Sequence, residues 1–151
     1  MTLVDANLLL YARDSDSTFH DAARSWLTDQ LNGSTRVGLP WQCLVAFVRI
    51  STHPRAYEQP LSGPEAWRQV EEWLDAEVAW IPAPTTRHAD VLGTLIRRYG
   101  LRGNLVSDAH LAALAVEHGL TLYSADTDFA RFGEVRWIDP LASERLSKKI
   151  R

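Results

Sequence analysis

The run Ser107-Asp108-Ala109-His110-Leu111-Ala112-Ala113-Leu114-Ala115-Val116-Glu117-His118-Gly119-Leu120-Thr121-Leu122-Tyr123-Ser124-Ala125-Asp126 carries a helix, a stop and a strand in immediate succession. Its Ala-rich first part reads as a helix from about Ser107 to His118, because alanine and leucine lose least on entering one. Gly119 is the stop, since glycine reaches the left-handed conformation that commonly closes a helix. Leu120 to Ser124 follows as a strand, with Asp126 just beyond its end and Asp128 two residues on. A helix delivered straight into a strand is half of the unit from which parallel sheets are built.

The same alternation extends outward. Met1 to Leu10 opens with a short apolar run ending at Asp5, which reads as a first strand. Phe19, Ala23, Trp26, Leu27 and Leu31 recur at helical spacing, with Ser17 or Thr18 as caps and Asn32-Gly33 as the stop. Arg36 to Leu39 reads as a second strand. From Trp41 a helix carries Leu44, Val45 and Val48, and it ends near His53 because Pro54 follows. Residues 54–64 form a proline-containing loop, and Pro64 suits the first turn of a helix bearing Trp67, Val70, Trp73 and Leu74. Val78 to Ile81 reads as a strand. Thr85 or Thr86 caps an amphipathic helix through Ala89, Leu92, Leu95, Ile96 and Tyr99, stopped by Gly100. Beyond the central run come a short helical turn, Asp128 to Phe132, and a last strand, Val135 to Ile138. These alternating elements imply an α/β fold with a central, mostly parallel sheet covered by helices on both faces. No repeat or linker divides the chain, so residues 1–146 read as one domain and 147–151 as a polar, basic tail.

Composition narrows the function classes. A length of 151 residues, 46% of them hydrophobic and 23% charged, is that of one soluble globular domain. The single Cys43 excludes an internal disulfide and a multi-thiolate zinc site. With no signal-like N-terminus and no long apolar segment, a cytoplasmic location without membrane contact is expected. A net charge of −3 is not that of a generally basic nucleic-acid binder, so any such contact must come from a local patch.

The placement of the acids is more informative than their number. Asp5 follows the first strand and Asp126 follows the strand Leu120 to Ser124, which puts both where open parallel sheets bind ligands. Asp108, at the start of the Ala-rich helix, joins them if that helix begins at the same edge. Taken singly, each has an ordinary structural role: Asp5 as a turn residue, Ser107 or Asp108 as a helix cap, Asp126-Thr127-Asp128 as turn chemistry. Taken together, converging carboxylates repel unless a cation joins them. Oxygen-only ligands favour a hard ion, Mg²⁺ or Mn²⁺, over Zn²⁺. Asn7, Asn104 and Ser124 are polar neighbours suited to positioning water or phosphate.

Three stretches resemble the PIN-domain family, and within it the VapC-type toxins of toxin–antitoxin pairs. They are Leu3-Val4-Asp5-Ala6-Asn7-Leu8-Leu9-Leu10-Tyr11, the run Gly103-Asn104-Leu105-Val106-Ser107-Asp108-Ala109-His110 with the alanines that follow, and Gly119 through Phe129. The resemblance implies a PIN-like three-layer α/β/α fold. It implies a metal-dependent endoribonuclease in which Asp5, Asp108 and Asp126 are the metal-binding and catalytic acids, with Asp128 as a secondary candidate. It also implies an RNA substrate such as tRNA or rRNA, a small antitoxin partner and a homodimer. One departure is visible: Ala46, in Ala46-Phe47-Val48-Arg49, stands where the family commonly has a further Glu.

Among the remaining residues, Arg97, Arg98 and Arg102 cluster before Asp108 and, with Arg49 and Arg55, are candidates to grip phosphates. The five histidines read as surface or helix-end residues, His110 being kept in view for its closeness to Asp108. Trp67 and Trp73 suit either core packing or a partner surface. Two other functions remain open: a non-catalytic PIN-like RNA-binding or protein-interaction module, and a metal-dependent phosphatase. A phosphoaspartyl phosphatase would want an Asp two residues after Asp5, where Asn7 stands.

Overall fold

Strand β1 (Thr2–Val4) is buried along its whole length, as a strand covered on both faces must be. It lies at the middle of a five-stranded sheet with β2 (Val37–Gly38), β3 (Ala79–Trp80), β4 (Thr121–Tyr123) and β5 (Trp137–Ile138), in the order β3-β2-β1-β4-β5. Every pairing is parallel. The computed structural model describes residues 1–150, with the side chains of 148–150 left aside. Arg151, the end of the expected tail, lies outside the described residues.

The chain runs from β1 outward to β3 and then returns to β4 on the other side of β1. Right-handed crossovers therefore place the helices α1 (Ala6–Arg13), α2 (His20–Leu31), α3 (Trp41–Ser51) and α4 (Gly63–Leu74) on one face. Helices α5 (His88–Tyr99) and α6 (Asn104–His118) cover the other. This is the three-layer arrangement expected from the sequence. The reversal of direction opens a crevice between the C-terminal ends of β1 and β4, the place where such sheets bind ligands.

Packing on the α1–α4 side centres on Phe47, fully buried and edge-on to Trp73 with ring centroids 4.8 Å apart. Gly38 keeps β1 and β2 close to the chain beyond β3, since a Cβ there would stand 3.1 Å from Pro82 Cγ and 3.2 Å from the Thr2 carbonyl. On the other side, Gly119 at φ 65° closes α6 and turns the chain into β4.

Several local expectations are revised. Residues 6–13 form α1 where the sequence was read only as a strand and its exit, because Asp5 caps the segment by accepting from the Ala6 amide. Helix α6 starts at Asn104, after Gly103 at φ 63°, so neither Ser107 nor Asp108 is its cap. Thr85 lies two residues before the α5 cap position, Arg87: its hydroxyl accepts from the Arg87 amide, and its own amide and hydroxyl both donate to Glu117 on α6. Ser62, not foreseen, caps α4 in a reciprocal capping box with Glu65. Most of the expected polar tail belongs to helix α7 (Ala142–Ile150), anchored by buried Leu141 and an Arg145–Asp139 ion pair.

Phe47→Ala is expected to lower stability by about 3–5 kcal/mol, the usual cost of emptying a buried aromatic site. Urea unfolding followed by circular dichroism measures this, with a reduced midpoint and an unchanged slope.

Candidate metal centre

Asp5 begins the site because β1 ends one residue before it. Its amide donates to the Tyr123 carbonyl of β4, which sets it at the crevice between the two strands. Its carboxylate is then held on every side: Oδ1 accepts from the Ala6 amide at 2.7 Å, and Oδ2 accepts from Ser124 Oγ at 2.8 Å and Asn7 Nδ2 at 3.3 Å. Cys43 Sγ lies 3.9 Å from Oδ1. Burial, and then the Asp5 charge, pushes the Cys43 thiol well up, so it remains a neutral donor rather than a nucleophile. Asn7 and Ser124, expected beside the acids, are thus the braces of Asp5. Asn7 also bonds Ser124 Oγ at 3.0 Å and receives the Ala125 amide at 3.2 Å.

Asp126 follows β4 and accepts from the Asp128 amide at 2.9 Å, capping a 3₁₀ turn over Thr127–Arg131. That turn brings Asp128 round beside it. Asp108 projects from the second turn of α6, one turn after Asn104, and reaches the same point from the opposite layer. Single carboxylate oxygens of Asp108, Asp126 and Asp128 lie within 4.8 Å of one another, half-buried to exposed. Asp5 stands behind this trio, near enough to act on its charge but engaged by its own donors.

The electrostatics record the crowding. Burial, then Asp126, Asp5 and Asp128, raises Asp108 from 3.8 to about 6, with Arg131 opposing. Asp5 is also raised, chiefly by burial and further by Asp126, against the hydrogen bonds from Ser124 and Ala6. An oxygen-only trio at this spacing fits a hard divalent cation, which would remove the repulsion that now favours a proton.

The basic residues are distributed differently from the sequence expectation. Arg98 is tied to Glu134, which also accepts from the Tyr99 hydroxyl. Arg97 folds back over Gly93 on its own helix, while Arg49 and Arg102 are exposed. The cation at the site is Arg131, whose Nη2 lies 3.5 Å from Asp128 Oδ1. Its only signal in the sequence is the spacing of three from Asp128. The position of the missing Glu, Ala46, supplies no acid; one turn earlier, Gln42 donates to the Ser107 carbonyl at 3.2 Å. His88 and His110 are not simply surface residues. His88 joins Glu117 at 2.6 Å and His110 at 3.0 Å, locking α5 to α6. His110 points about 200° around the helix from Asp108, away from the acids.

The PIN domain family matches residues 2–135. The chain belongs to the PIN-domain family. Within it the VapC type is shown by curated relatives. Ribonuclease VapC37 of Mycobacterium tuberculosis is 47% identical over 142 residues, covering 94% of this chain and 99% of that protein. Ribonuclease VapC33 of the same organism is 38% identical over 141 residues, covering 93% and 99%. Among solved structures, VapBC2 from Rickettsia felis, bound to a DNA fragment from its promoter, aligns with a TM-score of 0.65 at 16% identity. That alignment covers 91% of this chain and 96% of that one. Mycobacterium tuberculosis VapC20, described as a sarcin–ricin loop cleaving toxin, aligns at 0.64 with 19% identity, covering 90% and 99%. At such identities the likeness speaks for the fold alone.

The raised Asp108 has a consequence for the metal-free PIN domain. Its folded state holds a proton there more tightly than the unfolded chain, so the stability this contributes at low pH is lost as pH rises from about 4 to about 6. Thermal unfolding in EDTA should show wild type losing ground to Asp108→Asn across that window, with the difference constant above it. A pH-independent difference would place the Asp108 pKa at its ordinary value.

Proposed function

We propose that this PIN domain is a divalent-metal-dependent endoribonuclease, the toxin of a toxin–antitoxin pair. The observation that carries the reading is the convergence of Asp108, Asp126 and Asp128 from two layers on one point beside Asp5. Fold maintenance does not require this: Asp126 alone caps the 3₁₀ turn, and Asp108 caps nothing. Ribonuclease is also what the names of the curated relatives state of those proteins.

In this reading Asp108, Asp126 and Asp128 hold Mg²⁺ or Mn²⁺, with Asp5 behind them completing the negative field. The ion supplies a lowered pKa for water and charge compensation on a phosphodiester. The protein's own work is positional. Ser124 and Asn7 fix Asp5, the 3₁₀ turn fixes Asp126 against Asp128, and Arg131 offers a guanidinium at the rim for a backbone phosphate. Without the cation, the carboxylates would repel RNA. Structured RNA such as tRNA or rRNA is the substrate class assigned here.

A small antitoxin is the assigned protein partner. Solved relatives include a toxin–antitoxin complex from Klebsiella pneumoniae. On this chain a groove of about 850 Å³ opens between α1, α2 and α4, lined by Arg13, Arg24, Leu27, Gln69, Glu72 and Trp73 among others. An apolar surface elsewhere comes from Trp41 and Trp67, stacked at 6.2 Å and each nearly half exposed, and suits a homodimer contact. Against a phosphoaspartyl phosphatase stands Asn7, which occupies the place of the second Asp and is engaged with Asp5 and Ser124.

The purified protein should cleave RNA in Mg²⁺ or Mn²⁺ and stop when EDTA is added. Asp126→Asn should reduce kcat by roughly two orders of magnitude or more, the equivalent of several kcal/mol of transition-state stabilisation. Cleavage that survives EDTA, or that Asp126→Asn leaves intact, contradicts the assignment. A wild type that binds RNA without cutting it would favour the non-catalytic module.

A further inference from the structure

The two peptide planes leading into Asp126 are each held at both ends. In the first, the Ser124 carbonyl accepts from Trp137 Nε1 at 3.0 Å and the Ala125 amide donates to Asn7 Oδ1 at 3.2 Å. In the second, the Ala125 carbonyl accepts from Arg145 Nη1 at 2.7 Å and the Asp126 amide donates to Ser124 Oγ at 3.0 Å. No rotation of either plane is possible without breaking bonds on both sides, so the Cα of Asp126 has a fixed place and direction.

Two of these four partners are supplied from outside the acidic site. Trp137 is on β5 and Arg145 on α7, and both lie beyond residues 2–135, the stretch that matches the family. Arg145 is itself oriented by an ion pair with Asp139, which is 5% exposed and whose other oxygen accepts from the Leu141 amide at 2.9 Å. The guanidinium suits the role because its fork faces a carboxylate with one amino group and a carbonyl with the other. We infer that Arg145 and Trp137 are positioning residues for the metal centre, Trp137 locking the Ser124–Ala125 peptide and Arg145 the Ala125–Asp126 peptide, so that Asp126 meets Asp108 and Asp128. The inference rests on the proposed function for its catalytic consequence, but the lock itself is a property of the fold.

The test compares Arg145→Met, Arg145→Lys and Trp137→Phe with wild type. Three readouts are used: Mn²⁺ affinity by calorimetry, steady-state RNA cleavage, and amide hydrogen exchange. Outer partners of metal ligands typically carry about a 10–100-fold effect, so Arg145→Met should weaken Mn²⁺ binding on that scale. It should lower kcat with little change in KM, and Arg145→Lys should restore part of both. Exchange at the Ala125 and Asp126 amides should quicken in Arg145→Met while β1 amides keep their protection; Trp137→Phe should quicken Ala125 more than Asp126. Wild-type exchange at Asp126 in Arg145→Met overturns the lock, and so does faster exchange spread evenly through β1 and β4. If the wild type cuts no RNA, the proposed function fails while Mn²⁺ affinity and exchange still decide the positioning role. If it binds no Mn²⁺ either, the positioning role for a metal centre is overturned.

Discussion

Like charge gathered at the mouth of the crevice between β1 and β4 is the constraint around which the rest of this structure is arranged. Carboxylates packed this closely are unfavourable in a metal-free protein, and at Asp108, raised to about 6 first by burial, the neighbouring acids Asp126, Asp5 and Asp128 push in the same direction. The sheet topology creates the problem by reversing direction beside β1, so that the ends of β1 and β4 and the first turns of α6 all face one place. Hydrogen bonds then limit the damage at Asp5, where the Ala6 amide, Ser124 and Asn7 all donate to one carboxylate. A molecule selected for stability alone would replace some of these acids by amides. Their gathering in one place is what the proposed chemistry explains.

Structural and chemical roles coincide at two of the acids. Asp5 caps α1 and Asp126 caps the 3₁₀ turn, so each has an ordinary structural role beside the chemical one proposed for it. The coincidence is economical, because a cap fixes a carboxylate's rotamer, and a fixed carboxylate is a better ligand. Asp108 differs. It caps nothing, three neighbouring acids add to the burial that raises it, and its position depends on packing between layers. Its placement therefore reports on the site rather than on local helix chemistry.

Much of the fold was legible because its signals are local. Gly119 between an Ala-rich helix and a strand, Gly100 after Tyr99, and apolar runs ending in Asp5 and near Asp126 are all short-range features. Helix α1 was hidden because Leu8, Leu9 and Leu10 form an unbroken apolar run that shows no helical period. The start of α6 was misplaced because Ser107 is good cap chemistry, whereas the true start follows a positive-φ glycine and enters through Asn104, Leu105 and Val106. Asp5 and Asp126 could be placed at one sheet edge from strand assignments alone, whereas Asp108 joined them only on the condition that its helix began at that edge. Arg131, Trp137 and Arg145 could not be connected to them, since their contacts span layers or follow a turn whose direction the sequence does not encode. The pairing of His88 with His110 was invisible for the same reason.

The vacancy at Ala46 sharpens what the site is. Asp128, brought round by the 3₁₀ turn, supplies the third mutually close carboxylate that the helix after β2 does not. The central claim is that these three oxygens form one cation site. Soaking crystals of the protein in Mn²⁺ and collecting anomalous diffraction tests it most directly. The account predicts a strong peak enclosed by Asp108, Asp126 and Asp128. A site free of anomalous signal at saturating Mn²⁺, or a peak bound elsewhere with the three carboxylates turned apart, would contradict it.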